Sequence, residues 1–264
     1  MRRRFDEMKD LIRKALTDLG ELKQDNLVGD IFEIYFNEHV VKMRGTQADI
    51  EAVEDDFLFE LCELVSKYGD KARVVSLLSN VASTCVSAKF NSHNQRVCSI
   101  VGSLHFEKQL FSKAYSYFLR ANDLENAIKA LKEVMKSGYK NEQDLYVARL
   151  CFEVLIRNHK DQTGVKMVQL VVNAFPDQIE RPVVTFCRVL CDVFPTKDFE
   201  FFKQIVTLYQ PQLRRDGLFI EYVDRIAKYY FDDTIKAPNP MQQMLNNMLS
   251  GGGGNPLAAM MGGA

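Results

Sequence analysis

The sequence predicts an all-α protein, an α-solenoid of antiparallel helix hairpins in the tetratricopeptide manner, with about 12–13 helices. Three observations predict it. Apolar residues recur at three- and four-residue steps along most of the chain, the spacing that puts them on one face of a helix. The breaks between these runs are short and polar, and no segment alternates with period two between hairpin turn signals. All 7 prolines lie after residue 175, so the first two thirds can run as uninterrupted helices joined by polar turns.

The elements follow in order. Met1–Lys23 reads as a charged first helix. After a break at Lys23–Asn26, Leu27, Val28, Ile31, Phe32, Tyr35, Phe36 and His39 mark the next apolar face. Leu58, Leu61, Cys62, Val65 and Tyr68 mark another beyond Arg44–Thr46, and Val74, Val75, Leu78, Val81, Ala82 and Cys85 follow the turn at Gly69–Asp70. Beyond breaks at Asn91–His93, Asn122–Asp123 and Gly138–Asn141, the run Leu145, Val147, Ala148, Cys151, Phe152 and Leu155 predicts a further helix. Lys160–Thr163 is the next break. Two aromatic-rich helices are expected at about Lys197–Tyr209 and Leu213–Phe231. Asp25 or Asn26, Asp70, Asn141 and Thr163 are the residue types that cap helix N-termini, because a short side-chain oxygen can accept an otherwise unbonded backbone N–H.

One hairpin matches a known repeat. Within Gln95–Ala127, Gly102, Phe111, Ala114, Phe118 and Ala121 occupy the small, aromatic, small, aromatic and small positions of a tetratricopeptide repeat, with Cys98 in place of the usual Trp. Small residues let two helices approach closely, and the Phe rings fill the groove between them.

Composition restricts function. With 34 Lys+Arg against 35 Asp+Glu, nothing favours charge-driven binding to nucleic acid or to an anionic membrane. No stretch reaches the roughly 18–20 apolar residues of a membrane span, and no apolar run follows the basic opening, so neither a span nor a secretory signal is predicted. The six cysteines are scattered without a CxxC; Cys187 and Cys191 share a helix face and read as buried small hydrophobes in a reducing cytosol. His39, His93, His105 and His159 never pair four apart on a helix, and His105 takes a repeat-packing position. Gly251–Gly254 lacks the Lys-Ser/Thr of a phosphate loop. The sequence thus predicts no enzyme, no catalytic residue, no metal and no cofactor.

Binding surfaces are the better expectation. The first 14 residues hold Arg2, Arg3, Arg4, Lys9, Arg13 and Lys14, with Arg2, Lys9 and Arg13 on one helical stripe. This stripe is either a solvated face or a docking patch. A cation-free acidic run follows, comprising Asp49, Glu51, Glu54, Asp55, Asp56, Glu60 and Glu63; it suits a helix N-terminus or a basic partner. Toward the C-terminus Phe194, Phe199, Phe201, Phe202, Tyr209, Phe219, Tyr222, Tyr229, Tyr230 and Phe231 are too many aromatics for one face, where a solenoid's last repeat should be polar outside. Either a partner or a segment of the chain itself should cover them. Residues 238–264 form a Met- and Gly-rich tail in which Met241, Met244, Leu245, Met248 and Leu249 fall at helical spacing. It is read as a short helix that docks on the last hairpin or frays, or as a contact for a client or partner, followed by a disordered end. The domain plan is a solenoid over 1–237, with N-terminal helices at 1–90 and C-terminal helices at 181–235, then the tail.

Several segments carry a family resemblance. Tyr209-Gln210-Pro211-Gln212-Leu213-Arg214-Arg215-Asp216, continuing to Glu221-Tyr222-Val223-Asp224-Arg225-Ile226, resembles the C-terminal signature of the Golgi to ER traffic protein 4 family. Further likeness runs through His93–Leu104, Tyr117–Asp123 and Asp144–Arg149, and covers most of Asp25 to Phe231. The resemblance implies an α-solenoid of helix pairs that acts as a cytosolic adaptor in targeting tail-anchored membrane proteins. It implies N-terminal helices that dock the pathway's targeting ATPase, with Arg3, Arg4, Arg13 and Lys14 as positional candidates. It also implies C-terminal helices that bind a ubiquitin-like-domain partner, and in animals a BAG-family scaffold, with Phe199, Phe202, Tyr209, Phe219, Tyr222 and Tyr229 as candidates. The family's opening helix has no counterpart here, and Met1–Lys23 resembles its second helix. A generic scaffold subunit of a trafficking or degradation complex is the alternative reading.

Overall fold

The computed structural model of the protein describes residues 2–41, 55–84, 91–160 and 163–235. Among them are twelve α-helices and no strand: α1 (Arg2–Glu21), α2 (Asp25–Tyr35), α3 (Asp55–Tyr68), α4 (Lys71–Thr84), α5 (Asn91–Glu107), α6 (Phe111–Arg120), α7 (Leu124–Ser137), α8 (Gln143–Arg157), α9 (Thr163–Ala174), α10 (Pro182–Val193), α11 (Phe199–Leu213) and α12 (Phe219–Phe231). The all-α expectation of consecutive helix pairs is met. The chain divides into two compact units, Met1–Tyr146 and Val147–Ala264.

In the first unit the apolar faces read from the sequence on α2, α3 and α4 meet in one core with residues of α1 and α5. Leu16 of α1, Val28 and Phe32 of α2, Leu61 and Val65 of α3, Leu78 and Val81 of α4, and Cys98 and Val101 of α5 are all sealed from solvent. Two glycines set how closely these helices approach. A β-carbon on Gly20 would lie 2.3 Å from Cγ of Tyr68, and one on Gly102 would lie 2.7 Å from Phe118. The second contact joins α5 to α6 at the positions the repeat spacing assigned. At Gly29 the space is used differently. The Arg73 side chain lies across it, 3.3 Å from where a β-carbon would be, and reaches Asp30 at 2.6 Å and Glu33 at 2.8 Å.

In the second unit an aromatic core forms around Phe152 of α8. Its ring meets Phe186 of α10 at 6.1 Å and Phe219 of α12 at 5.1 Å, both nearly edge-on, the favoured arrangement for ring quadrupoles. Gly164 of α9 lies beneath the Tyr230 hydroxyl, which donates to the Leu155 carbonyl at 3.2 Å.

The helix ends differ in part from expectation. Asp70 caps α4 by accepting the Arg73 N–H at 2.9 Å, as expected, and Asp123 and Asp198 cap α7 and α11 in the same way. Asp25 is instead the first helical residue of α2, where its charge suits the helix dipole. Asn141 lies within a 3₁₀ turn leading to α8, and Thr163 opens α9. Asn91–His93, read as a break, form the first turn of α5. Three hairpins close through a left-handed residue that is not glycine: Lys23, Gln109 and Asn122. In each, the next residue's N–H returns to a carbonyl five residues back, Gln24 to Leu19, Leu110 to His105 and Asp123 to Phe118, the bonding of a Schellman motif. The last pair also differs from expectation, because α11 continues through Pro211 to Leu213 and α12 begins at Phe219.

Candidate interaction surfaces

On α1, the side that faces α3 takes in much of the basic stripe. Lys9 is buried, its ammonium 5.2 Å from the centre of the Phe57 ring, and the Arg13 guanidinium lies 5.5 Å from the same ring. Arg13 grips Glu60 with two nitrogens, Nε on Oε1 and Nη2 on Oε2 at 2.8 Å, while Nη1 holds Asp10 at 2.6 Å. The bond to Glu60 is the main reason that the Arg13 guanidinium is held further above its ordinary range, and it holds the Glu60 carboxyl below the usual carboxylate range. Of this stripe, Lys9 lies on the inner side of α1, while Arg13 keeps a side chain 41% exposed at its edge and takes one residue of the acidic run, Glu60, as its partner. Lys14 and Leu11 point outward instead, with Leu11 69% exposed. Arg3 and Arg4 belong to α1, but their side chains lie outside the described residues, as do those of Asp49, Glu51, Glu54, Asp55 and Asp56.

Within the second unit the C-terminal candidates fall into three aromatic groups: Phe199 and Phe202 with Phe231, then Tyr209, Phe219 and Tyr222 around Phe152 and Phe186, and Tyr229 with His159. Phe202 and Phe219 are fully buried, so these two candidates present no surface. Both fall on the core stripes of their helices, where neighbouring rings exclude water. Phe199 is half-buried between Phe202 and Phe231, at 5.9 and 5.8 Å, with the Lys203 ammonium 5.1 Å from its ring centre. Tyr209 is half-buried against Phe186 at 5.2 Å. Tyr222 is half-buried and donates to Glu153 at 2.8 Å; burial, then that bond, pushes its phenol up to about 12. Tyr229 is exposed and stacks on His159, their centres 4.0 Å apart.

Polar residues of the signature hold the connection between these helices. Asp216 accepts from Arg149 of α8 through one carboxylate oxygen and from the Leu218 N–H at 3.0 Å through the other. The loop before α12 is thereby fixed to α8 and its turn from Asp216 to Leu218 is closed by the same carboxylate.

Exposed apolar residues were missed by the sequence reading. Leu208 is 75% exposed and Leu218 45%, and Phe201, 45% exposed, was noted only as one of many aromatics. The signal lay in α11's own periodicity: once Phe202, Ile205, Val206 and Leu213 form its inner face, Phe201 and Leu208 must face out. The thiols behave as the sequence suggested. Cys187 and Cys191 are buried, and burial pushes the Cys191 thiol up to about 12 and that of Cys187 well above its usual value. Among the described residues, no His, Cys, Asp or Glu group is placed to share a metal ion, and no helix is long and apolar enough to cross a membrane.

Comparison with known proteins agrees with this architecture. The family model described as Golgi to ER traffic protein 4 matches residues 2–251. The Golgi to ER traffic protein 4 homolog of Oryzias latipes is 24% identical over 205 residues, 75% of this chain and 63% of the relative. That of Bos taurus is 23% identical over 211 residues, 77% of this chain and 64% of its own length. The chain thus spans less than two thirds of these relatives. The crystal structure of Get4 from C. therm. superposes with a TM-score of 0.51 at 14% identity, covering 98% of this chain and 93% of that one, which supports the all-α solenoid fold.

Proposed function

The chain belongs to the Golgi to ER traffic protein 4 family, and from that membership we propose that it is a non-enzymatic adaptor in the post-translational insertion of tail-anchored proteins into the ER membrane. In this reading it works in the cytosol and bridges a ubiquitin-like-domain chaperone partner to the targeting ATPase, with a BAG-family scaffold as a further partner. The observation that carries the reading is the family match over residues 2–251.

Burial divides the candidate residues. On the ATPase side, Lys14 is exposed and joins Arg3 and Arg4 as the proposed contacts, while Arg13, bound to Glu60, holds α1 in place. On the partner side, Tyr229 and the outer edges of Phe199, Tyr209 and Tyr222 are the proposed contacts. Phe202 and Phe219 support them from within. Rings of this kind suit an interface because they add large apolar area with few freely rotating bonds.

The test is a pull-down in which the immobilised full chain is offered the ubiquitin-like-domain partner of its own organism. Retention is expected, and Tyr229→Ala should weaken it while leaving the circular dichroism unchanged. If the folded full chain retains none of that partner, the adaptor reading fails. Copurification with a multi-subunit protease or coat would put the generic scaffold in its place.

A further inference from the structure

One side of α11 turns an apolar, uncharged strip toward solvent. Phe202, Ile205, Val206 and Leu213 face the core, which leaves Phe201 45% and Leu208 75% exposed, with Gln204 and Pro211 exposed beside them. From Gln204 to Leu213 the helix carries no charged residue. An exposed apolar surface that a further segment can reach is a place where contact would remove apolar area from water.

The chain's own continuation, the Met- and Gly-rich tail that lies outside the described residues, matches that strip in chemistry. Ala237–Ala264 contains no charged residue, and Met241, Met244, Leu245, Met248 and Leu249 recur at the spacing of one helical face. The path out of α12 also points the right way. Asp232 adopts the left-handed conformation, φ 56° and ψ 33°, and ends the helix. The Asp224 carboxylate then accepts from Thr234 Oγ1 at 2.6 Å and from the Ile235 N–H at 2.9 Å. The chain is thereby turned back along α12. The start of α11 lies against the end of α12, with Phe202 and Phe231 centres 4.8 Å apart and Lys197 Nζ on the Tyr230 carbonyl at 2.9 Å. A segment running back along α12 would therefore run in the same direction as α11, from its start toward its end. The six residue steps from Ile235 to Met241 can extend about 20 Å, close to the length of α11 at about 1.5 Å per residue.

We propose that Met241–Leu249 of this chain covers the outer strip of α11, seating its Met and Leu side chains on Phe201 and Leu208. Methionine suits the task because its unbranched thioether fits an irregular surface without charge. The proposal stands apart from the adaptor reading, since the tail can cover α11 whether or not a ubiquitin-like domain binds.

Hydroxyl-radical footprinting of the full chain tests it, with side-chain labelling read at Leu208, Phe201 and, as control, Leu170, which is 59% exposed on α9. Substituting Met244→Asp with Met248→Asp should raise labelling of Leu208 and Phe201 about threefold or more and leave Leu170 unchanged, as expected when a local cover is removed from a folded unit. Conversely, Leu208→Asp should speed the oxidation of Met244 and Met248. Equal Leu208 labelling with and without the tail substitutions overturns the proposal. It is overturned equally if protection fades on dilution, which would make the cover a second copy, or if protection appears only on adding the ubiquitin-like domain.

Discussion

Arg13 of α1 and Glu60 of α3, 47 residues apart, join as a two-nitrogen clasp of guanidinium on carboxylate. The clasp ties the first helix to the third across the Phe57 ring. Both side chains keep about two fifths of their exposure, 41% and 39%, so water and salt screen the pair. Glu60→Gln should therefore cost about 1 kcal/mol or less, and the loss should shrink in high salt. The sign with pH is fixed by the lowered carboxyl pKa of Glu60. Its contribution is complete above the unfolded carboxylate's value of about 4.3 and is lost as pH falls through the lower folded value. Denaturant unfolding between neutral and acid pH should show that part of the slope in the native protein and not in Glu60→Gln.

Gly102→Ala tests the α5–α6 crossing. Replacing a mid-helix glycine by alanine ordinarily gains about 1 kcal/mol. Here the new methyl would meet the ring of Phe118, only 2% exposed and unable to step aside. Overpacking costs about 1–3 kcal/mol, so the net effect is expected to be a loss, and larger for Gly102→Leu. Ala114→Leu on the facing helix should act alike. A Gly102→Ala protein with a raised melting temperature would show that the helices part easily.

His105 is expected to make the first unit acid-sensitive. It is 6% exposed and stacks on Tyr117 at 5.4 Å; burial, then the charges of Lys113 and Lys108, holds its pKa below the ordinary imidazole value. The unfolded chain therefore takes up a proton first. Stability is complete above about pH 6.5 and declines as pH falls from there toward the folded value. His105→Gln should flatten this decline, as measured by urea unfolding at steps from pH 7.5 to 5.5. A slope identical in both proteins would mean that His105 titrates as it does in the unfolded chain.

Asp216 can be divided into its two roles. Asp216→Asn keeps an oxygen for the Leu218 N–H and loses the charge partner of Arg149, whereas Asp216→Ala loses both. The alanine variant should cost about 2 kcal/mol and the asparagine variant less. Hydrogen exchange should rise over 214–220 in the alanine variant. Equal stability of all three proteins would mean that the loop holds without the clamp.

The apolar faces were legible because helical spacing alone groups them: Val28 with Phe32, Leu61 with Val65 and Phe152 with Leu155 entered the core as read. Gly102 and Phe118 were legible too, since a repeat spacing names both partners of the contact. Other features depend on what the fold brings together. Nothing local to Arg13 indicates Glu60. Lys23, Gln109 and Asn122 end helices in a conformation that usually signals glycine, because closing the hairpin outweighs the modest strain of a side chain there. Pro211 falls between the two helices expected from the sequence, yet it lies in the last turn of α11. It and Thr207, four residues earlier, are both exposed, so water can satisfy the carbonyl that the proline leaves without a donor. The candidate surface was legible as a surplus of aromatics but not as individual exposures. Phe201 and Phe202 are neighbours of the same type, and only packing decides which one meets solvent.

The glycine contacts have a consequence for how the gene tolerates change. Each missense substitution in a glycine codon adds at least a methyl group, since no smaller residue exists. At Gly20 and Gly102 that methyl would fall within 2.3 and 2.7 Å of an aromatic ring. At Gly217, by contrast, there is nothing within 4 Å. Variation in natural populations should therefore be scarce at the first two codons and freer at the third, and the difference would trace to two aromatic rings rather than to any catalytic demand.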